Sequence, residues 1–438
     1  MKNTHINLVK KIQAFLRKPF VRNVTIVASG TAAAQVITMA FSPLITRIYG
    51  PEAFGLLGIF QSLVVILTPI AALAYPIAIV LPKEDSEAKG LVKLSFLVSA
   101  AIFCAVVVVM LTGGEKLLAL LDSEAIAPYV MLIPLSMVFA AYMQIGQQWL
   151  IRKKQFAITA RVAVLQSFLL NSAKTVIGWV NPVGAVLVVL ATLGNGLHAA
   201  MLWVGIKKFG ELTDSAAQKE TSRMPLKKLA KQYYDFPLYR APQVFLNAIS
   251  QSLPVLMLAS FFGPSSAGFY TICRTVLGMP SRLVGQAVGD VFYPRVTEAS
   301  HMGEDVSRLI LKATLALAAV GFLPFAVVVV FGPQLFSFVF GGEWRVAGEY
   351  ARWMALWMFM GFINRPSVAA IATLSIQGFF LIFEFLSIGS RIIALAVGFL
   401  FFKNDVTAVA LFALVGTLLN LFLISVTLFR AKSLRGAE

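Results

Sequence analysis

Cysteine and histidine are nearly absent. There are two of the former, Cys104 and Cys273, and three of the latter, His5, His198 and His301, in 438 residues. Each cysteine stands inside an apolar run, so neither a disulfide framework nor a metal-binding spacing exists, and both read as buried small apolar residues. Three scattered imidazoles argue against a zinc or His-based catalytic centre. Charge is scarce too, at 13% of residues against about 25% in soluble domains. No Walker A sequence, GxSxG, HExxH or Rossmann glycine pattern occurs, which removes the usual basis for ATP hydrolysis and for nucleophilic or hydride chemistry.

What fills the space is apolar: 58% hydrophobic residues and a mean hydropathy of +0.82. That composition is an all-α integral membrane protein without a sizeable soluble domain. Windows of about 20 apolar residues recur to the end and predict twelve spans. They lie near 24–46, 55–81, 92–112, 126–150, 160–180, 183–206, 242–262, 268–293, 309–331, 346–370, 378–402 and 406–429.

The net charge of +17 would suggest nucleic acid in a soluble chain, but its placement says otherwise. With both termini cytoplasmic, 27 of the 37 cations fall in the termini and inner loops. The outer loops hold only Arg47, Lys116, Arg345 and Lys403. Such asymmetry is the positive-inside pattern, which an odd number of spans would destroy. The charge is therefore a topology signal with some attraction to anionic lipid, and nucleic acid is not a partner.

The expected organisation starts with residues 1–23. There Ile6, Val9, Ile12 and Leu16 alternate with Lys10, Lys11, Arg17 and Lys18 as in a basic helix lying on the membrane surface; a disordered basic tail is the alternative. A six-helix lobe at 24–206, a cytoplasmic linker at 207–241, a second six-helix lobe at 242–430 and a tail at 431–438 follow. The lobes echo one another. Gly50-Pro51 followed by Gly55 matches Gly263-Pro264 followed by Gly268 at an offset of 213. Pro69 lies near the place of Pro280, and Lys174 near that of Arg391. Each half begins on the same side with an even number of spans, so the repeats are parallel and related by a pseudo-two-fold axis along the membrane normal, a transporter architecture.

Six cations fall inside spans: Lys174, Arg274, Arg282, Arg352, Arg365 and Arg391. A cation near mid-bilayer costs at least about 2.5–3.5 kcal/mol and normally faces a polar cavity. Arg274, Gly278, Arg282 and Gln286 recur every four residues, giving the eighth span one polar face. Either they line a cationic cavity or Arg282 is held by a neighbouring helix's carbonyls. Gln243, Asn247 and Gln251 stack likewise on the seventh span, as donors and acceptors for sugar hydroxyls or as interhelical hydrogen bonds. Guanidinium suits phosphate bidentately. Arg352 and Arg365 either snorkel or line the cavity. Asp290 and Glu384 are either structural ion pairs or carboxylates that couple H⁺ or Na⁺; no other cofactor is expected. Prolines within spans bend helices, and Pro69 and Pro280, in matched spans, are the candidate hinges.

At this point the run SPLITRIYGPEAFGLLGIFQSL at 42–63 resembles Wzx-type polysaccharide flippases of the multidrug/oligosaccharidyl-lipid/polysaccharide exporter superfamily. FGGEW at 340–344 with Ala347 and Tyr350, and Arg391, add to the likeness. Arg47, Arg391 and the glycine-proline turn match by motif; Arg274, Arg282 and Lys174 enter on physical argument. The resemblance implies two lobes around a cationic cavity that opens alternately to the two sides of the bacterial inner membrane. It implies a substrate, an undecaprenyl-pyrophosphate-linked oligosaccharide for O-antigen or other surface polysaccharide, driven by a cation gradient or by consumption of product outside. Implied partners are membrane lipid, a polysaccharide polymerase and a chain-length regulator. A membrane polymerase would need a large outer loop, and these loops are short, so no enzymatic activity is expected. The rival readings are a multidrug exporter, which would want acidic cavity residues, and a scaffold of a glycan-assembly complex.

Overall fold

The computed structural model describes residues 19–120, 124–208, 224–288 and 292–435. The basic segment at 1–18 therefore lies outside the described residues. Among them the chain is helical throughout, with no strand. The first helical stretch, Pro19–Ala71, is broken at Gly50 into α1 (19–49) and α2 (51–71). There follow α3 (Tyr75–Ala78), α4 (Asp85–Leu120), α5 (Leu132–Arg152), α6 (Phe156–Val180), α7 (Gly184–Lys208) and the short α8 (Leu226–Gln232). Next come α9 (Ala241–Phe262), α10 (Pro264–Ala287), α11 (Tyr293–His301), α12 (Val306–Phe340), α13 (Arg345–Ile363), α14 (Arg365–Ala370), α15 (Gln377–Val397) and α16 (Asp405–Arg435).

Among the described residues six of these helices before residue 209 and six after 224 are long enough to span a bilayer. Eight stretches qualify on apolar composition alone, with α1 and α2 joined as one; α5, α10 and α13 are the more polar remainder. α13 shows why polarity is tolerated there: it packs against α10, α12 and α16, which shield it from lipid. Elsewhere the outward faces carry large apolar side chains such as Leu111, Val204, Phe338 and Phe401. Cys104 belongs to this outer set and is exposed on α4, contrary to expectation. A lipid-facing position needs only an apolar group, not a packed one. Cys273 is buried, its thiol donating to the Ala347 carbonyl at 2.9 Å.

Two expected spans end earlier than their hydropathy does. α2 stops at Ala71, where Leu73 and Ala74 take left-handed backbone (φ 47° and 58°) before α3. α13 stops at Asn364, ahead of Pro366, and α14 restarts as a separate short helix. Within α2 and α10 the helix runs through Pro69 and Pro280.

The chain divides into two compact units: residues 1–48 with 59–252, and residues 49–58 with 253–438. The core of the first is built around Trp149, Leu91, Ile79, Ile145, Leu202 and Ile206. At its edge Arg152 binds the Ile79 and Pro82 carbonyls (3.3 and 2.6 Å) and pairs with Asp85 at 2.9 Å.

The second unit contains the meeting of the two glycine-proline turns. Gly50 and Gly263 both have positive φ (60° and 89°), so each turn uses a conformation that a side chain would strain. One turn later the helices touch reciprocally. A β-carbon on Gly55 would collide with the Pro264 carbonyl oxygen, and one on Gly268 with that of Pro51. The crossing is thus locally two-fold, residue for matched residue. Phe54 and Phe269 close over it by packing edge-on against the buried Trp344 (5.2 and 6.1 Å between centroids). The FGGEW segment and the glycine-proline turn form one packed junction.

Candidate functional site

In the second unit one intramembrane cation sits among aromatic rings. Arg391, half-buried on α15, donates through Nε to the Ser387 carbonyl at 3.0 Å. Its guanidinium lies 5.4 Å from the Trp357 ring of α13 and 5.7 Å from the Phe412 ring of α16. Those two rings meet edge-on at 5.2 Å, and Tyr270 of α10 meets Phe412 edge-on at 6.2 Å. Tyr270 is within electrostatic reach of both Arg391 and Arg274, one helical turn along α10. Glu384, two turns from Arg391 on α15, attracts it. One side-chain-to-carbonyl bond fixes Arg391 along its helix, and two ring faces meet its charge, with Glu384 acting on it from two turns away. Such cation–π contacts contribute about 0.5–2 kcal/mol while leaving guanidinium donors open to an anion.

The other candidates are placed differently. Arg352 is exposed on α13, and its Nε and Nη2 donate to the Val329 and Val330 carbonyls of α12 (2.9 and 3.4 Å). Pro333 stands four residues after Val329 and has no N–H to offer that carbonyl. Arg352 supplies the missing donor. Arg365 is half-buried at the start of α14, with a buried Nε that has no hydrogen-bond partner among the described residues. Gln243 accepts from Arg240 at 2.8 Å, and Gln243, Asn247 and Gln251 are all exposed along one face of α9. These amides belong to the first unit, whereas Arg274 and Arg391 belong to the second. Arg282 and Gln286 continue α10 beyond Pro280, but their side chains lie outside the described residues, as does Asp290.

In the first unit Lys174 is half-buried on α6, one turn past a polar seam that joins α6 to α1. There Asn171 donates to the Thr38 hydroxyl at 3.3 Å, Thr38 and Ser167 share a 2.9 Å bond, and Ser167 donates to the Ala34 carbonyl at 2.9 Å. Arg47 is exposed at the end of α1, just ahead of the Gly50 turn.

Sequence reasoning missed the aromatic enclosure. Trp357, Phe412 and Tyr270 are unremarkable among 35 Phe, 10 Tyr and 6 Trp; only their convergence on an arginine singles them out. It also missed Asp405. This carboxylate opens α16 and accepts from the Tyr350 hydroxyl at 2.8 Å and from Ser266 at 2.9 Å, both donors being buried.

The sequence profile of a family described as "Polysaccharide biosynthesis protein" matches residues 44–349. The amylovoran biosynthesis protein AmsL of Erwinia amylovora is 19% identical over 229 residues, covering 52% of this chain and 56% of that protein. The succinoglycan biosynthesis transport protein ExoT of Rhizobium meliloti (strain 1021) is 22% identical over 333 residues, covering 75% and 63%. The chain thus spans less than two thirds of either relative's length. Among solved structures, an inward-facing multidrug resistance MATE family transporter of the MOP superfamily superposes with a TM-score of 0.70 at 13% identity, covering 92% of this chain and 96% of that one. An outward-facing one gives 0.60 at 14%, covering 96% and 97%. A MOP superfamily transporter from Pyrococcus furiosus, described as having a binding pocket of reverse polarity, gives 0.52 at 13%, covering 96% and 94%.

Proposed function

Because this chain belongs to the polysaccharide biosynthesis protein family and has the fold of MOP-superfamily transporters, we propose that it is a flippase for lipid-linked oligosaccharides. It is a multi-pass membrane protein whose family and fold point to transport rather than catalysis. In this reading it moves an undecaprenyl-pyrophosphate-linked repeat unit across the bacterial inner membrane by alternating access, for O-antigen or another surface polysaccharide. The asymmetric placement of Lys and Arg supports cytoplasmic termini.

The observation that carries the proposal is Arg391 in its aromatic enclosure. A pyrophosphate entering a membrane needs fixed cations whose charge is not already neutralised. Arg391 is braced by rings and one carbonyl, so most of its donors remain for such a group. Arg282 and Arg365 are further cations of the second unit in this scheme; in the first unit, taken by itself, Lys174, Arg47 and the exposed amides on α9 are the candidates for phosphate and glycan hydroxyls. Arg352, already bonded to the Val329 and Val330 carbonyls, contributes charge at most. Movement of H⁺ or Na⁺ through Asp290 or Glu384 supplies the drive. A cationic drug as cargo fits less well, because the charges within the spans are mainly basic.

The experiment is Arg391→Ala beside Arg391→Lys in cells that depend on this protein for surface glycan. Ala should reduce surface glycan at least tenfold at unchanged protein abundance. Lys should restore part of it, since charge is kept and the planar fork is lost. Unchanged glycan in Arg391→Ala would remove this residue from the pathway.

A further inference from the structure

The segment between the two halves contains a second basic feature, separate from the cations inside the spans. From Leu226 to Arg240 it reads LKKLAKQYYDFPLYR, four cations against the single acid Asp235. Leu226 and Ala230 of α8, with Tyr233 just after it, pack on the core of the first unit. Leu229 is 1% exposed and seats its δ-methyl where a side chain on Gly90 of α4 would stand. The Tyr75 hydroxyl of α3 donates to the Ala230 carbonyl at 3.3 Å. The helix is therefore docked, and docking turns Lys227, Lys228 and Lys231 outward, where all three are exposed. Beyond it Tyr234, Leu238 and Tyr239 are 54%, 54% and 65% exposed. A single five-residue turn, Phe236–Arg240, then leads straight into the spanning helix α9.

We propose that residues 226–240 form a site for anionic lipid headgroups, held in place by the Leu229–Gly90 contact. The location selects the ligand. A segment that runs into a spanning helix within one turn lies at the level of the headgroups. Exposed tyrosines with a leucine are the side chains that settle at that interface. Three lysines on a docked helix match a negative surface, each strengthening attachment roughly fivefold. A soluble polyanion would satisfy the lysines but gives Tyr234, Leu238 and Tyr239 nothing to enter.

The test uses the purified full-length protein in a neutral detergent. Cys104→Ala removes the exposed thiol, Cys273 being buried, and Tyr234→Cys carries an environment-sensitive fluorophore. Phosphatidylglycerol should shift the emission at a mole fraction at least about tenfold lower than phosphatidylcholine does. Lys227→Gln/Lys228→Gln/Lys231→Gln should remove most of that preference, and high salt should do the same to the parent protein without any substitution in the helix. Equal titration by the two lipids, or a preference that survives both the triple substitution and high salt, would overturn the proposal. So would an equal shift from soluble glycerophosphate.

Discussion

At the residue scale, Arg391 keeps a costly guanidinium in an apolar run where Trp357 and Phe412 bring ring faces to it from two other helices. Asp405 likewise draws its partners from distant elements. Its position after Lys403 reads as a loop acid, and only the fold brings Tyr350 and Ser266 to it. That carboxylate fastens α10, α13 and α16 at one end. Asp405→Ala removes the acceptor shared by two buried hydroxyls, which are left only each other as partners, at a cost of about 1–3 kcal/mol, and should clearly lower the midpoint of thermal unfolding in detergent. Tyr350→Phe removes one bond and should cost about 1 kcal/mol. Equal midpoints for Asp405→Ala and the parent would mean that the network carries no stability.

At the scale of elements, periodicity and apolar runs located the helices, but their ends followed backbone chemistry that hydropathy does not see. α2 and α13 stop before their apolar runs do, at Leu73–Ala74 and at Asn364. The glycine-proline turns were legible as a repeat. Their reciprocal contact was not, because sequence cannot say that two matched turns touch. Substituting Gly55 or Gly268 by Leu should abolish folded protein, since the obstacle is backbone carbonyl rather than a movable side chain. Membrane abundance of each variant checks this, and normal levels would place the crossing elsewhere. Arg352 offers a finer test. Its bonds to α12 should contribute about 1.5–3 kcal/mol because Pro333 leaves the Val329 carbonyl without its helical donor. In a Pro333→Ala background the N–H returns, so Arg352→Ala should cost less there, and a double-mutant cycle should yield a clear coupling. Independent effects would make the arginine a surface charge that happens to lie over α12.

At the scale of the whole molecule, even span number, charge asymmetry and the 213-residue echo lead from the sequence to the expectation of a membrane protein of two halves. What no linear pattern reveals is that the halves by sequence are not the units by packing. Residues 49–58 belong to the first half in chain order, yet they pack with residues 253–438 through the Gly55–Gly268 crossing and Trp344. α2 therefore begins in one unit and continues into the other. Cutting the linker should not release two independent bodies. A sequence-specific protease site replacing residues 214–219, cleaved after purification, should give two fragments that co-elute in detergent, because residues 226–252 of the second still pack within the first unit and the first still inserts Pro51–Gly55 against Pro264–Gly268. Close packing of backbone on backbone resists detergent better than lipid-facing side-chain contacts do, since detergent cannot fill a gap too small for a methyl group. Fragments that separate without denaturant would show that the chain's continuity, rather than these two sets of contacts, holds the fragments together.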